Sequence, residues 1–433
     1  MNWQEEYKEK IVTAAEAVKA IKNEDYLVCS HAAASPQVIL REMVAQKDRF
    51  RNVHIYHMVP LGYGDYLLPE NAEHFHHISN FAGNASRQAM AEGKADFLPA
   101  FFKDIPGLIG EIFPIDVAVV NLSPPDKEGY CSIGLACDYT QAGIHKAKIV
   151  IAQINEYMPY VGSTNKIHLS QLDYIVLCSD PIPEIPRPVI TDVEREIGRN
   201  CASLINDGDT LQLGIGAIPD AVLLFLKDKK DLGIHTEMFS DGAMELIRAG
   251  VINGKRKTLH PNKLVATFLM GTRELYDFLN YNTDVEMFPV DYVNDPAVIG
   301  QNDNLVSVNS CIEIDLMGQV NSESIGLKQF SGTGGQVDYV RGASISKGGR
   351  SIMAMPSTAS KGKISRIVPF LSEGGAVTTS RNDVDYVVTE YGMAKLKGRT
   401  LRQRAQALID IAHPNFREGL MEEYNKRFNT KNI

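Results

Sequence analysis

Short continuous apolar runs alternate along this chain with stretches in which apolar residues recur at every third or fourth position. Runs such as residues 117–122 and 351–355 predict buried β-strands, because a strand covered on both faces is apolar throughout. The stretch that follows Pro36 has helical spacing, and residues 53–58 then read as the next strand. Strands that alternate with helices predict an α/β protein with open parallel sheets covered by helices on both faces.

Three segments recur in the same order in the two halves of the chain. The pairs are residues 25–58 with 209–238, residues 126–132 with 315–321, and residues 172–176 with 384–388. Short motifs that match by chance do not usually keep their order, so the series predicts two similar domains that arose by duplication. In this alignment His57 of the first copy lies opposite Glu237 of the second, and we expect His57 to have a packing role.

A proline-rich segment separates the two copies. Four prolines between Pro181 and Pro188 forbid a helix and favour an extended connector. We therefore predict an amino-terminal α/β domain over residues 1–186 and a carboxy-terminal α/β domain over 187–433. Near the end of the chain, residues 400–412 and 416–428 have helical spacing and predict two closing helices interrupted at Pro414.

Composition narrows the range of partners. The 433 residues are 44% hydrophobic and 22% charged, with a net charge of −9 and no block of Lys and Arg, so a nucleic-acid surface is not expected. No stretch approaches the apolar length of a membrane span and the first ten residues are polar, so a cytoplasmic location is expected. The six cysteines are dispersed, and neither disulfides nor a metal site is predicted.

The turn Gly214-Ile215-Gly216-Ala217-Ile218-Pro219 and the carboxylate of Glu237 form the most informative pair. Residues 211–213 predict a strand, and Pro219 predicts the first residue of a helix, whose free amides attract anions. The next strand would carry Glu237 back to the same end of the sheet, where open α/β sheets bind ligands. A carboxylate beside amide donors indicates acyl chemistry. The alternative is a tight strand-to-helix turn without a ligand.

Other candidate chemistries do not match their motifs. A dinucleotide fingerprint would need glycine where Pro219 stands, and no Gly-x-Ser-x-Gly nucleophile motif is present. Lys361 lies in a Lys-Gly-Lys stretch that lacks the spacing of a nucleotide P-loop, so solvated surface lysines are the default reading there. A second glycine cluster at residues 332–335 predicts a loop whose amides bind an anion or donate to an oxyanion, or else a flexible surface loop.

The motifs together resemble those of a known enzyme family. The matching segments are residues 214–219, 236–242, 314–324 and 332–338. They resemble the acetyl-CoA hydrolase/transferase family of class I CoA-transferases and, within it, most of all the 4-hydroxybutyrate CoA-transferases, followed by the butyryl-CoA:acetate CoA-transferases. The resemblance implies two similar α/β domains, a homodimer or higher homo-oligomer, and transfer of CoA between short-chain carboxylic acids. Acyl-CoA and a carboxylic acid are the expected substrates, with no metal or other cofactor.

The resemblance also implies roles for individual residues. Glu237 would be the nucleophile that forms a glutamyl-CoA thioester in a ping-pong reaction. The residues that match the family's CoA-contacting and oxyanion positions are Gly214, Ile215, Gly216, Ala217, Ile218 and Gly335. Asn309, Gly332 and Lys361 are expected to contact CoA because they lie close to these motifs in the sequence.

Two alternatives to a CoA-transferase stay open from the sequence. Water in place of an acceptor acid would make the same site an acyl-CoA hydrolase. A glycine turn at a helix start also binds phosphate without chemistry, so a non-catalytic CoA- or phosphate-binding module is the alternative of another class. The identity of the donor and acceptor acids is not read from the sequence.

Overall fold

Two compact units make up the chain in the computed structural model, which describes residues 3–429. The first unit contains the residues up to Pro186 together with Val265–Val293, and the second contains Arg187–Leu264 and the residues from Asn294 onward. The segment Val265–Val293 thus lies outside the domain in which the sequence analysis placed it. It joins the first unit because its backbone continues that unit's hydrogen bonding: Cys137 N donates to Thr267 O at 2.9 Å.

A seven-stranded parallel sheet forms the centre of the first unit. Its strands are β1 (Tyr26–Cys29), β2 (Val53–Tyr56), β3 (Phe75–Ser79), β4 (Ala95–Phe97), β5 (Val117–Leu122), β6 (Ile149–Asn155) and β7 (Tyr174–Cys178), in the order β4-β3-β2-β1-β5-β6-β7. Every residue of β5 is buried, so both faces of the sheet are covered at its centre. The apolar run that predicted this strand has the same limits as the strand itself.

Helices and a short ladder complete the first unit. The helices are Trp3–Glu6, Ala14–Ala17, Gln37–Ala45, Arg87–Ala91, Ile105–Leu108, Thr140–Lys146, Arg273–Leu279 and Val290–Val293. Tyr130–Ser132 pairs antiparallel with Lys166–His168. The segment Val265–Val293 contains the strand Val285–Met287 and all but the first residue of the strand Leu264–Ala266. Across residues 3–429, no helix has the length and apolar character needed to cross a membrane.

The second unit contains a six-stranded sheet. Its strands are β8 (Thr210–Leu213), β9 (Gly233–Ile234), β10 (Leu305–Ser310), β11 (Arg350–Ala354), β12 (Tyr386–Thr389) and β13 (Gly392–Lys395), in the order β9-β8-β10-β11-β12-β13. The first five strands are parallel, and β13 pairs antiparallel with β12. The predicted α/β class with two parallel sheets is confirmed, and the antiparallel edge strand adds to it.

The remaining elements of the second unit are helices and short ladders. The helices are Asp192–Ala202, Ala217–Leu224, Asp241–Arg248, Pro296–Ile299, Gln336–Ile345, Leu401–Asp410 and Pro414–Phe428. The short strands are Glu313–Asp315, Val320–Asn321, Ser324–Ile325, Lys328–Gln329, Thr358–Ala359, Ile364–Ser365 and Ile367–Val368. The preceding helix ends at Asp410, and the last helix begins at Pro414 because the first turn does not need the missing N–H of proline.

The two sheets share one strand order, as a duplication requires. The order β2-β1-β5-β6-β7 in the first unit corresponds to β9-β8-β10-β11-β12 in the second. Their motifs also form the same turn. Asp126 Oδ1 accepts from the amides of Glu128 and Tyr130, and Asp315 Oδ1 accepts from the amides two and four residues onward in the same way. The glycine in each turn has a φ of +87°, which few other residues adopt.

Strand register corrects one detail of the alignment between the copies. His54 N donates to Asp25 O and Gly233 N donates to Asp209 O, each at 2.9 Å, so His54 and Gly233 occupy equivalent positions. Four residues onward, Met58 rather than His57 is the equivalent of Glu237. His57 is fully buried with Nδ1 2.9 Å from Tyr66 Oη, and burial holds its pKa well below the ordinary value. It is therefore a neutral packing residue.

Candidate active site

A glycine turn joins β8 to the helix Ala217–Leu224. Gly216 is the residue that precedes this helix, and its φ of +115° lies in the region that favours glycine. No side chain caps the helix start, and space next to the α-carbons of Gly214 and Gly216 is open. The helix begins two residues before Pro219, earlier than predicted, because proline is tolerated throughout a first turn whose N–H groups have no partner within the helix. The turn leaves these first amides accessible.

Glu237 lies just beyond the carboxyl end of β9, next to that turn. The strand is shorter than predicted and ends at Ile234, after which His235 N donates to Leu211 O and the Thr236 hydroxyl donates to Leu213 O, both at 3.2 Å. These bonds hold the bend at Glu237 to the neighbouring strand β8. The half-buried Glu237 side chain thus follows the end of one strand while Gly214 follows the end of the next.

A buried lysine, Lys257, forms hydrogen bonds with the last residue of β9. Lys257 Nζ donates to Ile234 O and Lys263 O, both at 2.8 Å, and the side chain passes over Gly233, where a Cβ would overlap it. Burial lowers the pKa of Lys257 to about 7. Lys257 thus joins the end of β9 to the backbone at Lys263. This link limits the movement of the chain that leads to Glu237.

Two groups from distant parts of the second unit contact the carboxylate. Asn294 Nδ2 donates to Glu237 Oε2 at 2.8 Å, and the Asn294 side chain is fully buried. Gly335, the residue before the helix Gln336–Ile345, lies so close that a Cβ built on it would overlap both Glu237 Oε2 and Asn294 Nδ2. A side chain there would displace Glu237 or Asn294, whereas the backbone itself does not call for glycine, since φ at Gly335 is −91°. The amide and the glycine fix one carboxylate oxygen.

The carboxylate also acts on a tyrosine in the helix after Gly335. Tyr339 is fully buried, and its pKa is held well above the ordinary value by burial first and by the negative charge of Glu237 second. The phenol therefore stays protonated near neutral pH, and no second negative charge arises from this ring beside Glu237.

The other predicted residues divide into two groups. Gly332 is buried in the loop that leads to Gly335, residues 214–216 form the turn next to Glu237, and residues 217–218 begin the helix that follows. Asn309 lies near the end of β10, where its side-chain amide donates to Gln212 Oε1 at 3.0 Å and to Ser307 Oγ at 2.9 Å. Lys361 is exposed in the turn between Thr358–Ala359 and Ile364–Ser365. A role for Asn309 or Lys361 in binding CoA stays a prediction.

Two family models match most of the chain. Residues 1–189 match the acetyl-CoA hydrolase/transferase N-terminal domain, and residues 271–424 match the acetyl-CoA hydrolase/transferase C-terminal domain. The chain belongs to the acetyl-CoA hydrolase/transferase family. The resemblance inferred from the motifs is confirmed, and Glu237 lies in the segment between the two matched regions.

Individual relatives of the acetyl-CoA hydrolase/transferase family match nearly the whole chain. A 4-hydroxybutyrate coenzyme A transferase of Clostridium kluyveri is 58% identical over 99% of this chain and 100% of its own. A butyryl-CoA:acetate CoA-transferase of Anaerostipes caccae is 38% identical over 98% of each chain. The crystal structure of a 4-hydroxybutyrate CoA-transferase from Porphyromonas gingivalis, 49% identical, superposes with a TM-score of 0.87 over 99% of this chain and 100% of that one. The predicted enzyme class is thereby confirmed.

Asn294 is the site residue that the sequence analysis missed. It precedes the helix Pro296–Ile299 and belongs to none of the motifs that carry the resemblance to the acetyl-CoA hydrolase/transferase family. The only local signal is that Asn294 is followed by Asp-Pro, a pair that marks a turn and not a ligand. Its contact with Glu237 arises from tertiary packing alone.

Replacement of Asn294 by alanine is expected to lower the rate of acyl transfer about 10-fold. A lost hydrogen bond to a charged group costs about 1.5 to 3 kcal/mol, and part of this loss appears in the barrier because the carboxylate is no longer oriented. The steady-state kcat/KM with acetyl-CoA and an acceptor acid measures this loss.

The matched control for this variant is Asn253→Ala. Asn253 Nδ2 donates to Asp231 Oδ1 at 2.9 Å, which is the same kind of pair in the same unit but away from Glu237. This control should keep the wild-type kcat/KM. An Asn294→Ala variant with the wild-type kcat/KM would contradict the orienting role.

Proposed function

We propose that the chain is a CoA-transferase that moves CoA between a short-chain acyl-CoA and a carboxylic acid, with Glu237 as its nucleophile. The observation that carries the proposal is the half-buried carboxylate held by Asn294 against the Gly335 backbone, beside an uncapped helix start. The names of the relatives support acetyl-, butyryl- or 4-hydroxybutyryl-CoA as donors and 4-hydroxybutyrate or acetate as acceptors.

The reaction proceeds through covalent exchange at Glu237. One carboxylate oxygen attacks the thioester carbonyl of the acyl-CoA, and the carbon–sulfur bond breaks to give a mixed anhydride and a CoA thiolate. The thiolate then attacks the glutamyl carbonyl, which releases the first carboxylic acid and leaves a glutamyl-CoA thioester. An acceptor acid reverses both steps. Each exchange replaces one activated acyl group by another of similar energy, so the reaction needs no metal or other cofactor and follows ping-pong kinetics.

The surrounding backbone supplies the stabilisation that this chemistry needs. Negative charge develops on the carbonyl oxygen in each tetrahedral intermediate, and amide donors aimed at that position lower the barrier. Two helices begin without a side-chain cap at this site, one after Gly216 and one after Gly335. The first amides after Gly216 are suited to an oxyanion or to CoA, whereas Gln336 N, the first amide after Gly335, donates to Thr333 O. The open space beside Gly214 and Gly216 admits a ligand close to the backbone.

Acceptor dependence is the expected result that tests the transferase assignment. With acetyl-CoA alone the enzyme should release CoA slowly, and added 4-hydroxybutyrate or butyrate should give the new acyl-CoA at a rate that saturates with the acid. Product formation is followed by chromatography of the CoA esters, with sodium chloride at the same concentration as the control for ionic strength. CoA release from acetyl-CoA that is independent of any acid would instead identify a hydrolase.

A covalent adduct separates either enzyme from a non-catalytic binding module. Incubation with acetyl-CoA should add the mass of CoA less one water to the chain, and hydroxylamine should release the CoA and leave a hydroxamate in its place. A chain that binds CoA but gains no mass would be a binding module, and the proposal would then be wrong. Two further expectations belong with the proposal, namely a cytoplasmic location and assembly as a homodimer or larger homo-oligomer.

A further inference from the structure

The loop that carries Gly335 is held by a buried glutamate that has no part in the chemistry proposed above. Glu323 is 9% exposed, and its backbone oxygen accepts from Phe330 N at 2.8 Å and from Ser331 N at 2.9 Å. Its side-chain Oε2 accepts from the Thr333 hydroxyl at 3.1 Å. One residue therefore holds the loop at its beginning and again two positions before Gly335.

The loop turns sharply between Thr333 and the helix. Gln336 N donates to Thr333 O at 3.2 Å, and Gly334 between them has a φ of +51°. Because Gly335 lies inside this closed turn, its position follows that of Thr333. The α-carbon of Gly335 is packed against Glu237 and Asn294, since a Cβ built on it would overlap both side chains. A small displacement of Thr333 is thus transmitted to the carboxylate.

Glu323 is fixed in turn by a chain of buried polar side chains. Asn321 Oδ1 accepts from Glu323 N at 3.2 Å and from Ser324 N at 3.1 Å, while its Nδ2 donates to Glu313 Oε1 at 3.2 Å. The Glu313 carboxylate accepts from Ser372 N at 2.9 Å and from its hydroxyl at 2.8 Å. Glu313 belongs to the strand Glu313–Asp315, which pairs with Ile367–Val368. The loop is therefore anchored to a ladder and not to mobile surface groups.

From this geometry we infer that Glu323 and Thr333 are positioning residues for the nucleophile. Their hydrogen bond sets where the Gly335 backbone stands against the carboxylate, and so sets the distance between an amide donor and the reacting carbonyl. The inference rests on the proposed role of Glu237. The hydrogen bond between Thr333 and Glu323 would then affect catalysis in addition to holding the loop together.

The test removes the hydroxyl while it keeps the shape of the side chain. Thr333→Val is expected to slow formation of the glutamyl thioester from acetyl-CoA by about 10- to 100-fold. The reason is that a displacement of about 1 Å at the attacking oxygen is enough to cause a loss of this size. The rate is measured by rapid quench and intact mass. The affinity for free CoA, measured by calorimetry, should change less than about twofold, so the loss appears in kcat and not in binding. Thr333→Ser restores the hydroxyl and should restore most of the rate.

A second variant and a matched control complete the design. Glu323→Gln keeps an acceptor oxygen but replaces a charged hydrogen bond by a weaker neutral one, so an intermediate loss of rate is expected. Combined with Thr333→Val it should cost little more than Thr333→Val alone, since both act through one bond. Thr13→Val is the control, because the Thr13 hydroxyl also bonds a glutamate, Glu16 Oε2 at 3.0 Å, in the other unit. It should leave the thioester rate unchanged.

Each outcome bears on one claim. A wild-type rate in Thr333→Val, an equal loss in Thr333→Ser, or a fall in CoA affinity as large as the fall in rate would overturn the positioning role. If Thr333→Val does not fold, Glu323→Gln decides in the same way, with a wild-type rate counting against the inference. If the wild-type enzyme forms no thioester at Glu237, the proposed function itself fails, and that result is distinct from an unaffected Thr333→Val variant.

Discussion

Replacement of Glu237 by glutamine is expected to lower the rate of CoA transfer by about 10⁶-fold, the loss typical of a deleted covalent nucleophile. Glutamine has nearly the same shape, and its carbonyl oxygen still accepts from Asn294 Nδ2, so the fold and the hydrogen bond are retained. The neutral amide lacks the nucleophilic oxygen that attacks the thioester. Steady-state turnover and the mass of the chain after incubation with acetyl-CoA measure the two losses together.

Two further variants make this result specific. Glu237→Asp keeps the charge but shortens the side chain by one methylene, and a loss of about 10²-fold is expected from the misplaced oxygen alone. Glu245→Gln is the control, since Glu245 is a half-exposed carboxylate of the same unit that pairs with Arg187. Turnover of Glu237→Gln near that of the wild type, or an adduct on another residue, would remove the basis of the proposed mechanism.

Replacement of Gly335 by alanine is expected to lower the transfer rate by about 10²-fold. The added Cβ would overlap Glu237 Oε2 and Asn294 Nδ2, so the carboxylate, the amide or the loop must move. The backbone itself is not strained by the change, because φ at Gly335 is −91°. The loss therefore reports the position of the reacting group and not the folding of the loop. The rate of thioester formation and the melting temperature are measured side by side.

Gly419→Ala is the control for this change. Gly419 lies in the helix Pro414–Phe428, and no atom lies within 4 Å of a Cβ built there. Alanine in a helix interior should leave transfer unchanged and stabilise the helix slightly. If Gly335→Ala had the same rate as Gly419→Ala, then the close packing around Glu237 would not matter for catalysis.

Much of the fold follows from local patterns in the sequence. The strand Val117–Leu122 is predicted residue for residue because its apolar run is bounded on both sides by polar or turn-forming residues. The helix before β9 is predicted but begins two residues before Pro219, since a first turn accepts proline at more than one position. The segment Val265–Val293 is misplaced because its membership depends on backbone bonds to residues more than a hundred positions earlier.

The site is predicted only in part, for the same reason. Gly216 and Gly335 can be recognised in the sequence because each lies in a cluster of glycines. Such clusters occur where the backbone must approach another group too closely for a side chain to fit. Asn294 is a single polar residue outside any motif, and only packing brings it to Glu237. The pairing of His57 with Glu237 was wrong by one residue, because register between strands is set by hydrogen bonds that motif spacing does not determine.

The contacts around Glu237 have a consequence for the newly made protein. The carboxylate, the amide that holds it and the glycine that faces it come from three widely separated stretches of the chain. During synthesis Glu237 leaves the ribosome well before Gly335 exists, and until then it is an ordinary hydrated side chain. With Glu237 as the proposed nucleophile, we therefore expect reactivity toward thioesters only after the second unit has folded.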